Sequence, residues 1–467
     1  MSNETKTQGQ ILEEQLLMTP KNGAEILSEE EIAKADAFCE GYKAFLKHAK
    51  TEREAVAQTI QILKAHGYTE FDPDKKYLPG DKVYYSNRGK ALCFATIGTR
   101  SMKEGIRLVA SHIDSPRVDL KPNPLYEDAQ IGYFKTHYYG GIRKYQWTAI
   151  PLSLHGVIVK KGGEAVTVSV GEEPGDPVFS ITDLLPHLSK DQDARKLGDG
   201  VRGEELNIVI GSRPFRDDKA SQKVKLAIAK ILFDKYGIVE SDFQSADLQA
   251  VPAFAPQDVG FDRSMVGAYG QDDKVCAYTS LMAAIEAPTP EYTHVTVMAD
   301  KEEVGSPGAT GMGSDYFVYF ISDLAKPYGI EGRTVLSHTK CLSADVNCAF
   351  DPSFPDVAER RNIAYANYGT VLTKYTGARG KSGCNEATAE FMGFVRDLFD
   401  REGILWQTGE IGKVDQGGGG TVAVEISKHN ADVVDIGVPV LSMHSPFELV
   451  SKIDTYMTYR AFKAFLQ

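Results

Sequence analysis

Four apolar runs in this chain end on side chains that can hold a metal ion. Ile106 to Ser111 leads into His112-Ile113-Asp114, and His294 to Asp300 leads into Lys301-Glu302-Glu303. Cys341 to Ala344 leads into Asp345, and Val438 to Met443 leads into His444. In an open α/β sheet, ligands bind outside the carboxyl ends of the strands. Four candidate ligands at four such ends are therefore expected to converge on one crevice. Imidazoles and carboxylates together suit zinc or a similar divalent ion. A pair of such ions lowers the pKa of water from about 15.7 toward about 7 and holds both a nucleophile and a developing oxyanion. The chemistry this implies is hydrolysis.

Each group also has an ordinary explanation. His112 and Asp114 are two residues apart in an extended stretch, so their side chains share a side. Asp114 is thereby placed to accept the second ring N–H of a metal-bound histidine. The alternative is a strand-end histidine beside a solvated aspartate. Asp272-Asp273-Lys274 opens an apolar helix running from Val275, where an aspartate is commonly an N-cap. Glu302 and Glu303 are adjacent acids, ordinary on a solvated loop. Beside cations they would be stabilised as anions, one binding metal while the other faces the attacking water. The turn-rich Val304-Gly305-Ser306-Pro307-Gly308 lets the chain bend around such a site. His444 precedes Ser445-Pro446-Phe447-Glu448, which reads as a helix start with Ser as N-cap, Pro first and Glu three after the cap. His444 is then expected at a strand-to-helix junction, with or without a ligand role.

The elements that must position these groups alternate. Thr51-Glu52-Arg53-Glu54 is a capping box for a helix through Val56, Ile60 and Leu63 that stops at Gly67. Ala91 to Ala95, Ile106 to Ala110, His294 to Ala299 and Val433 to Met443 read as strands. Val275 to Ile285, Glu386 to Leu398 and the C-terminal stretch read as helices. Between about 120 and 250 the character changes. Leu154 to Val159 and Ala165 to Val170 flank a Lys-Lys-Gly-Gly-Glu turn as a hairpin. Ser189 to Glu205 is expected to be a long polar loop, and Val224 to Tyr236 a helix ended by Gly237. The organisation expected is α/β, a mixed sheet flanked by helices, from 1–119 and 253–467, interrupted by a β-rich insert at 120–252.

Bulk properties narrow the function. The chain has 467 residues, of which 42% are hydrophobic, and a net charge of −12. That charge argues against nucleic acid as the default partner. No apolar run is long enough to span a bilayer, and the polar N-terminus does not read as a signal peptide. Six dispersed cysteines form no CxxC pair, so a reducing cytoplasm fits best. Two glycine-rich stretches lack the context of phosphate loops. Gly380-Lys381-Ser382 has Tyr375 where the phosphate-loop pattern needs its first glycine, and Gly417 to Gly420 reads as a flexible loop that could line a substrate cleft.

Taken jointly, Ser111-His112-Ile113-Asp114-Ser115-Pro116-Arg117, Asp272-Asp273-Lys274, Asp300 to Ser306, Ser343-Ala344-Asp345-Val346 and Ser442-Met443-His444-Ser445 resemble the aspartyl aminopeptidase / aminopeptidase I family. The resemblance implies a phosphorylase/hydrolase-like metallopeptidase domain with an inserted lid or dimerisation domain. It implies two divalent ions, zinc with cobalt or manganese as substitutes, held by His112, Asp272, Glu303, Asp345 and His444, with Asp272 bridging. Glu302 would be the general base, and Asp114 would orient His112. His187, in Pro186-His187-Leu188, would reach a neighbouring subunit's site and stabilise the oxyanion. Peptide substrates, and dimers assembling to a tetrahedral dodecamer, follow from the same likeness. Asp273 and Lys274 stand where some relatives carry Asn and an apolar residue. An N-acyl deacylase, a carboxypeptidase, or a non-catalytic scaffold with a vestigial site are the competing readings. The stretch with Lys374, Arg379 and Lys381 could supply a cation for an acidic substrate, or simply be a solvated loop.

Overall fold

The computed structural model describes residues 6–467; the first five residues, the start of the polar N-terminal stretch, lie outside the described residues. Chain-local signals decide several elements. Thr51 and Glu54 form the reciprocal capping box, and the helix runs Glu52–Ala65. Residues Leu152–Val159 and Ala165–Val170 pair antiparallel as a hairpin. Lys223–Tyr236 is helical and ends at Gly237, whose φ of +66° is a left-handed cap that glycine adopts without steric cost.

A nine-stranded sheet carries the middle of the molecule. Its centre places four strands side by side, in the order His294–Ala299, Arg107–His112, Lys340–Ala344 and Asp432–Gly437, all mutually parallel. Successive side chains of a strand point to opposite faces. Val109, Met298, Leu342 and Val434 accordingly enter one core, while Leu108, Ala110, Val295 and Val297 enter the other. Both faces are covered, so all six residues of His294–Ala299 are buried, as expected for parallel strands under two helical layers. Helix Lys452–Leu466 packs on one face against Gln271–Glu286 and Glu29–His48.

Two further sheets flank this one. Strands from Arg117 to Pro252 make a seven-stranded sheet with its own apolar cluster around Trp147, Phe134 and Leu248. A five-stranded sheet joins Met265–Ala268, Glu448–Ser451 and Pro439–Leu441 with two short edge strands.

Four local expectations need correction. Val433 to Met443 is two strands, not one: the chain leaves the nine-stranded sheet after Gly437 and enters the five-stranded sheet at Pro439. Gly437 sits where any side chain would collide with the Asp345 carbonyl, which ties that crossing to the site. Ser445 to Glu448 does not begin a helix. Glu448 opens a strand, and the helix starts four residues later at Lys452, behind Ser451, whose hydroxyl accepts from Asp454 N. The stretch 189–205 is not featureless; it holds the helical turn Lys190–Asp193 and two 3₁₀ turns. The helix read from Glu386 begins at Ala389, capped by Thr388. No helix among the described residues is long and apolar enough to cross a membrane. All six cysteines are free.

Candidate metal centre

The segments that follow the strands His294–Ala299 and Lys340–Ala344, and His444 beyond the strand Pro439–Leu441, line one cleft of about 510 Å³. His112 is the last residue of its strand and is buried. Its Nδ1 faces the Asp114 main-chain carbonyl at 3.0 Å and Asp114 Oδ1 at 3.4 Å. Both are acceptors, so Nδ1 carries a proton, and Nε2 points into the cleft. There Nε2 meets Asp272 Oδ1 at 3.2 Å, Asp345 Oδ1 at 3.7 Å and Glu302 Oε2 at 4.0 Å. His444 repeats the arrangement from the other side. Its Nδ1 donates to the Gly141 carbonyl at 2.9 Å, while Nε2 faces Asp272 Oδ2 at 3.2 Å and Glu303 Oε2 at 3.5 Å. Asp272 thus turns one oxygen to each histidine.

Loop chemistry holds this geometry. Lys301 and Gly305, with φ of +67° and +86°, bracket the single turn that carries Glu302 and Glu303. Asp114 accepts both amides of that turn, Glu302 N–H on Oδ1 at 3.1 Å and Glu303 N–H on Oδ2 at 3.2 Å. Asp114 therefore positions the adjacent acids as well as facing His112. His444 adopts φ +64°, a conformation that costs a non-glycine residue of order 1–3 kcal/mol and needs outside support. Glu448 provides it: its buried carboxylate accepts from His444 N–H at 2.7 Å and Asp272 N–H at 3.2 Å. Burial, and then the Asp272 charge, push that carboxyl up to about 7.

The electrostatics are one-sided. Asp272, Asp273, Glu302, Glu303 and Asp345 crowd together, and no lysine or arginine among the described residues pairs with any of them. Two like charges about 4 Å apart repel by about 4 kcal/mol at an effective dielectric near ~20. Burial, and then the Asp345, Asp114 and Asp272 carboxylates acting against His112, push Glu302 up to about 8. Burial works against the charged form of His444. The Asp272 hydrogen bond and the Glu303 charge overcome it and raise the ring to about 10. With only the chain's own groups present, the acids hold protons between themselves and the histidines. A divalent cation is the alternative occupant of the same space. The donor set fits one. Asp272 Oδ1, Glu303 Oε1 and both Asp273 oxygens are buried with no hydrogen-bond partner, a state that native structures rarely leave uncompensated. His112, Asp272 and Glu303 bring ligand atoms within 4.8 Å of one another, as do His112, Asp273 and Asp345.

The profile of the aminopeptidase I zinc metalloprotease family (M18) matches residues 45–466. The chain belongs to the M18 family. A probable M18 family aminopeptidase 1 of Clostridium acetobutylicum is 47% identical over 459 residues, covering 97% of this chain and 99% of the relative. One from Thermotoga maritima is 44% identical over 92% of this chain and 96% of its own. The crystal structure of an M18 aminopeptidase from Thermotoga maritima superposes with a TM-score of 0.91 at 43% identity, over 96% and 99% of the two chains. Aminopeptidase I of Clostridium acetobutylicum gives 0.91 at 45%, over 97% and 100%. The S. cerevisiae mApe1 dodecamer shares the fold at 20% identity, with a TM-score of 0.74 over 94% and 97%. The M18 chain is thus a peptidase, a hydrolase of a zinc metalloprotease family with the α/β architecture read from its sequence.

In this M18 chain, His112, Asp114, Asp272, Glu302, Glu303, Asp345 and His444 all come together. His187 does not join them. It lies exposed on the Pro186–Leu188 turn and does not line this chain's own cleft. Gly418, Gly419 and Gly420 do line it. Lys374, Arg379 and Lys381 do not; Lys374 and Lys381 pair with Glu386. Asp273 and Glu448 were missed by sequence reasoning. Asp273 carried a signal, as the second of two adjacent aspartates; Glu448 carried only a misleading one, as the third residue of a false cap.

Proposed function

We propose that the chain is a two-cation aminopeptidase that removes single residues from the N-terminus of peptides. The observation that carries this reading is the pair of histidine Nε2 atoms facing a shared Asp272 across a cluster of unpartnered carboxylate oxygens. His112, Asp345 and Asp272 would hold one ion, and His444, Glu303 and Asp272 the other, with zinc favoured by two imidazoles. Two such ions would supply Lewis-acid polarisation of the scissile carbonyl and a water acidic enough to lose its proton near neutral pH.

The remaining work belongs to side chains. Glu302 lines the cleft without a hydrogen-bonded cation of the chain, and its carboxylate takes a proton from water and returns it to the leaving amine. The acid-rich cleft favours the free α-ammonium of a peptide, which supports removal of terminal residues. Among the described residues no lysine or arginine lines the cleft, and Val346, Ile411, Val424 and Met443 do. That supports neutral N-terminal side chains over acidic ones. Glu302→Gln is expected to keep its zinc by elemental analysis while kcat falls about 10²–10⁴-fold. Full turnover by that variant removes Glu302 from the base role. Cleavage of N-blocked peptides in preference to free ones would favour a deacylase or carboxypeptidase instead.

The inserted unit at 120–252 is read as the lid and dimerisation domain, and the assembly as dimers building a tetrahedral dodecamer. Leu184, Leu185 and Leu188, each more than half exposed around His187, support a face that meets another copy. His187 then serves the neighbour's oxyanion. Free, dispersed cysteines support a cytoplasmic setting.

A further inference from the structure

The seven-stranded sheet touches the metal centre through three consecutive residues. Strand Ile131–Tyr139 ends beside the cleft, and Gly140 and Gly141 continue past it. The Tyr139 hydroxyl donates to Asp114 Oδ2 at 2.7 Å, the same oxygen that accepts Glu303 N–H. The Tyr139 ring is itself fixed. The Arg117 guanidinium lies 3.8 Å from its centroid, buried and tied to Asp119 at 2.8 Å and Glu52 at 3.5 Å. Gly140 turns the chain at φ +72°, where a Cβ would already press at 3.4 Å on Glu303 Cβ. Two residues after Tyr139, the Gly141 carbonyl accepts a hydrogen bond from His444 Nδ1.

We propose that Tyr139 to Gly141 form a clasp by which the seven-stranded sheet orients both halves of the metal centre, with Tyr139 a positioning residue for cation binding. This rests on the two-cation reading above. Tyr139 acts through Asp114 on His112 and the Glu302-Glu303 turn. Gly141 acts on His444 by fixing its tautomer and ring plane. Outer partners of this kind typically change metal affinity 10–100-fold when removed. The clasp also makes the orientation of the sheet a determinant of zinc affinity, although none of the sheet's own side chains would bind the ion.

The test uses the full chain, stripped of metal and titrated with zinc against a chromophoric chelator. Tyr139→Phe keeps the ring and its stacking but deletes the hydroxyl. It is expected to weaken zinc binding by tenfold or more at the His112 side, and less at the Glu303 side through the shared turn, with the unfolding midpoint of the metal-free protein nearly unchanged. Gly141→Ala would bring a Cβ 3.3 Å from His444 Nδ1, and is expected to weaken the other site. Tyr138→Phe, on the exposed neighbour, is the control and should bind zinc as the wild type does. Cobalt substitution gives a second readout, a shifted visible spectrum in Tyr139→Phe. Wild-type protein that binds two zinc ions while Tyr139→Phe and Gly141→Ala bind them equally well overturns the clasp alone. Wild-type protein that takes up no zinc overturns the two-cation reading, and the clasp with it.

Discussion

Around Glu52 the buried acids have the chain's own cations against them; around Asp272 none does. Glu52 meets Lys90 at 2.9 Å and Arg117 at 3.5 Å, with Gln249 donating at 3.0 and 3.1 Å. Asp247 meets Arg53 and Lys90, and Asp300 accepts from Thr310 with Lys90 3.8 Å away. Burial alone would raise Glu52, but Arg117 and Lys90 outweigh it and hold the carboxyl below the ordinary range. Around Asp272, without lysine or arginine, Glu302 and Glu303 are pushed upward, Asp272 is, against burial, held down by the two histidines rather than by a fixed cation, and oxygens are left unpartnered. The first cluster carries its own counter-charge, with Asp300 alone of these acids raised, to about 6, by burial and then by the Glu52 charge. The second is complete only with charge from outside.

Changing either cluster should expose that difference. Asp272→Asn takes the shared charge from both halves and should lower activity by about 10³-fold or more, with loss of bound zinc by elemental analysis. Retention of two zinc ions by that variant would show that Asp272 is not shared. Glu52→Gln leaves Arg117 and Lys90 without their buried partner and should cost about 3–5 kcal/mol in denaturant unfolding. Its folded fraction should still bind two zinc ions. Adding zinc at about 100 times its Kd should stabilise the wild type by about 2.7 kcal/mol for each ion bound. A midpoint indifferent to zinc would mean that the folded chain takes up none.

The smallest effect is a titration. His155 bridges Glu54 at 2.7 Å and Glu172 at 3.5 Å, joining the helix Glu52–Ala65 to the seven-stranded sheet. Burial opposes its charge, but the Glu172 and Glu54 hydrogen bonds overcome that and raise it to about 9. A histidine raised on folding stabilises fully below its unfolded value near ~6.5, and that contribution is lost as pH climbs past about 9. The wild type should exceed His155→Gln by about 1–3 kcal/mol at pH 6, and the gap should close by pH 10. A gap that widens with pH would reverse the assignment.

Most of the residues of the candidate metal centre were legible because strand ends are legible. An apolar run that stops on His112, just before Asp345, or a short turn before Glu303 announces both the strand and the side chain beyond it. His444 was found by the same rule although its surroundings were misread. Ser445 to Glu448 satisfies the local pattern of a capped helix, and Ser445 even accepts from Phe447 N–H. What overrides the pattern is tertiary: Glu448 pairs into a sheet and spends its carboxylate on the amides of His444 and Asp272. Tyr139 and Gly141 had no local signature at all, because their partners lie elsewhere in the chain. The capped helix at Thr51, the hairpin at 152–170 and the helix ended by Gly237 needed no such partners and were readable directly.

The order of synthesis gives the strand arrangement one more meaning. His112 emerges from a ribosome well ahead of His444 and of the helix Lys452–Leu466 that packs over the sheet. A chain grown past the first but not yet to the second presents an imidazole to only one side of Asp272. The two sides can therefore close on each other only after both have been made.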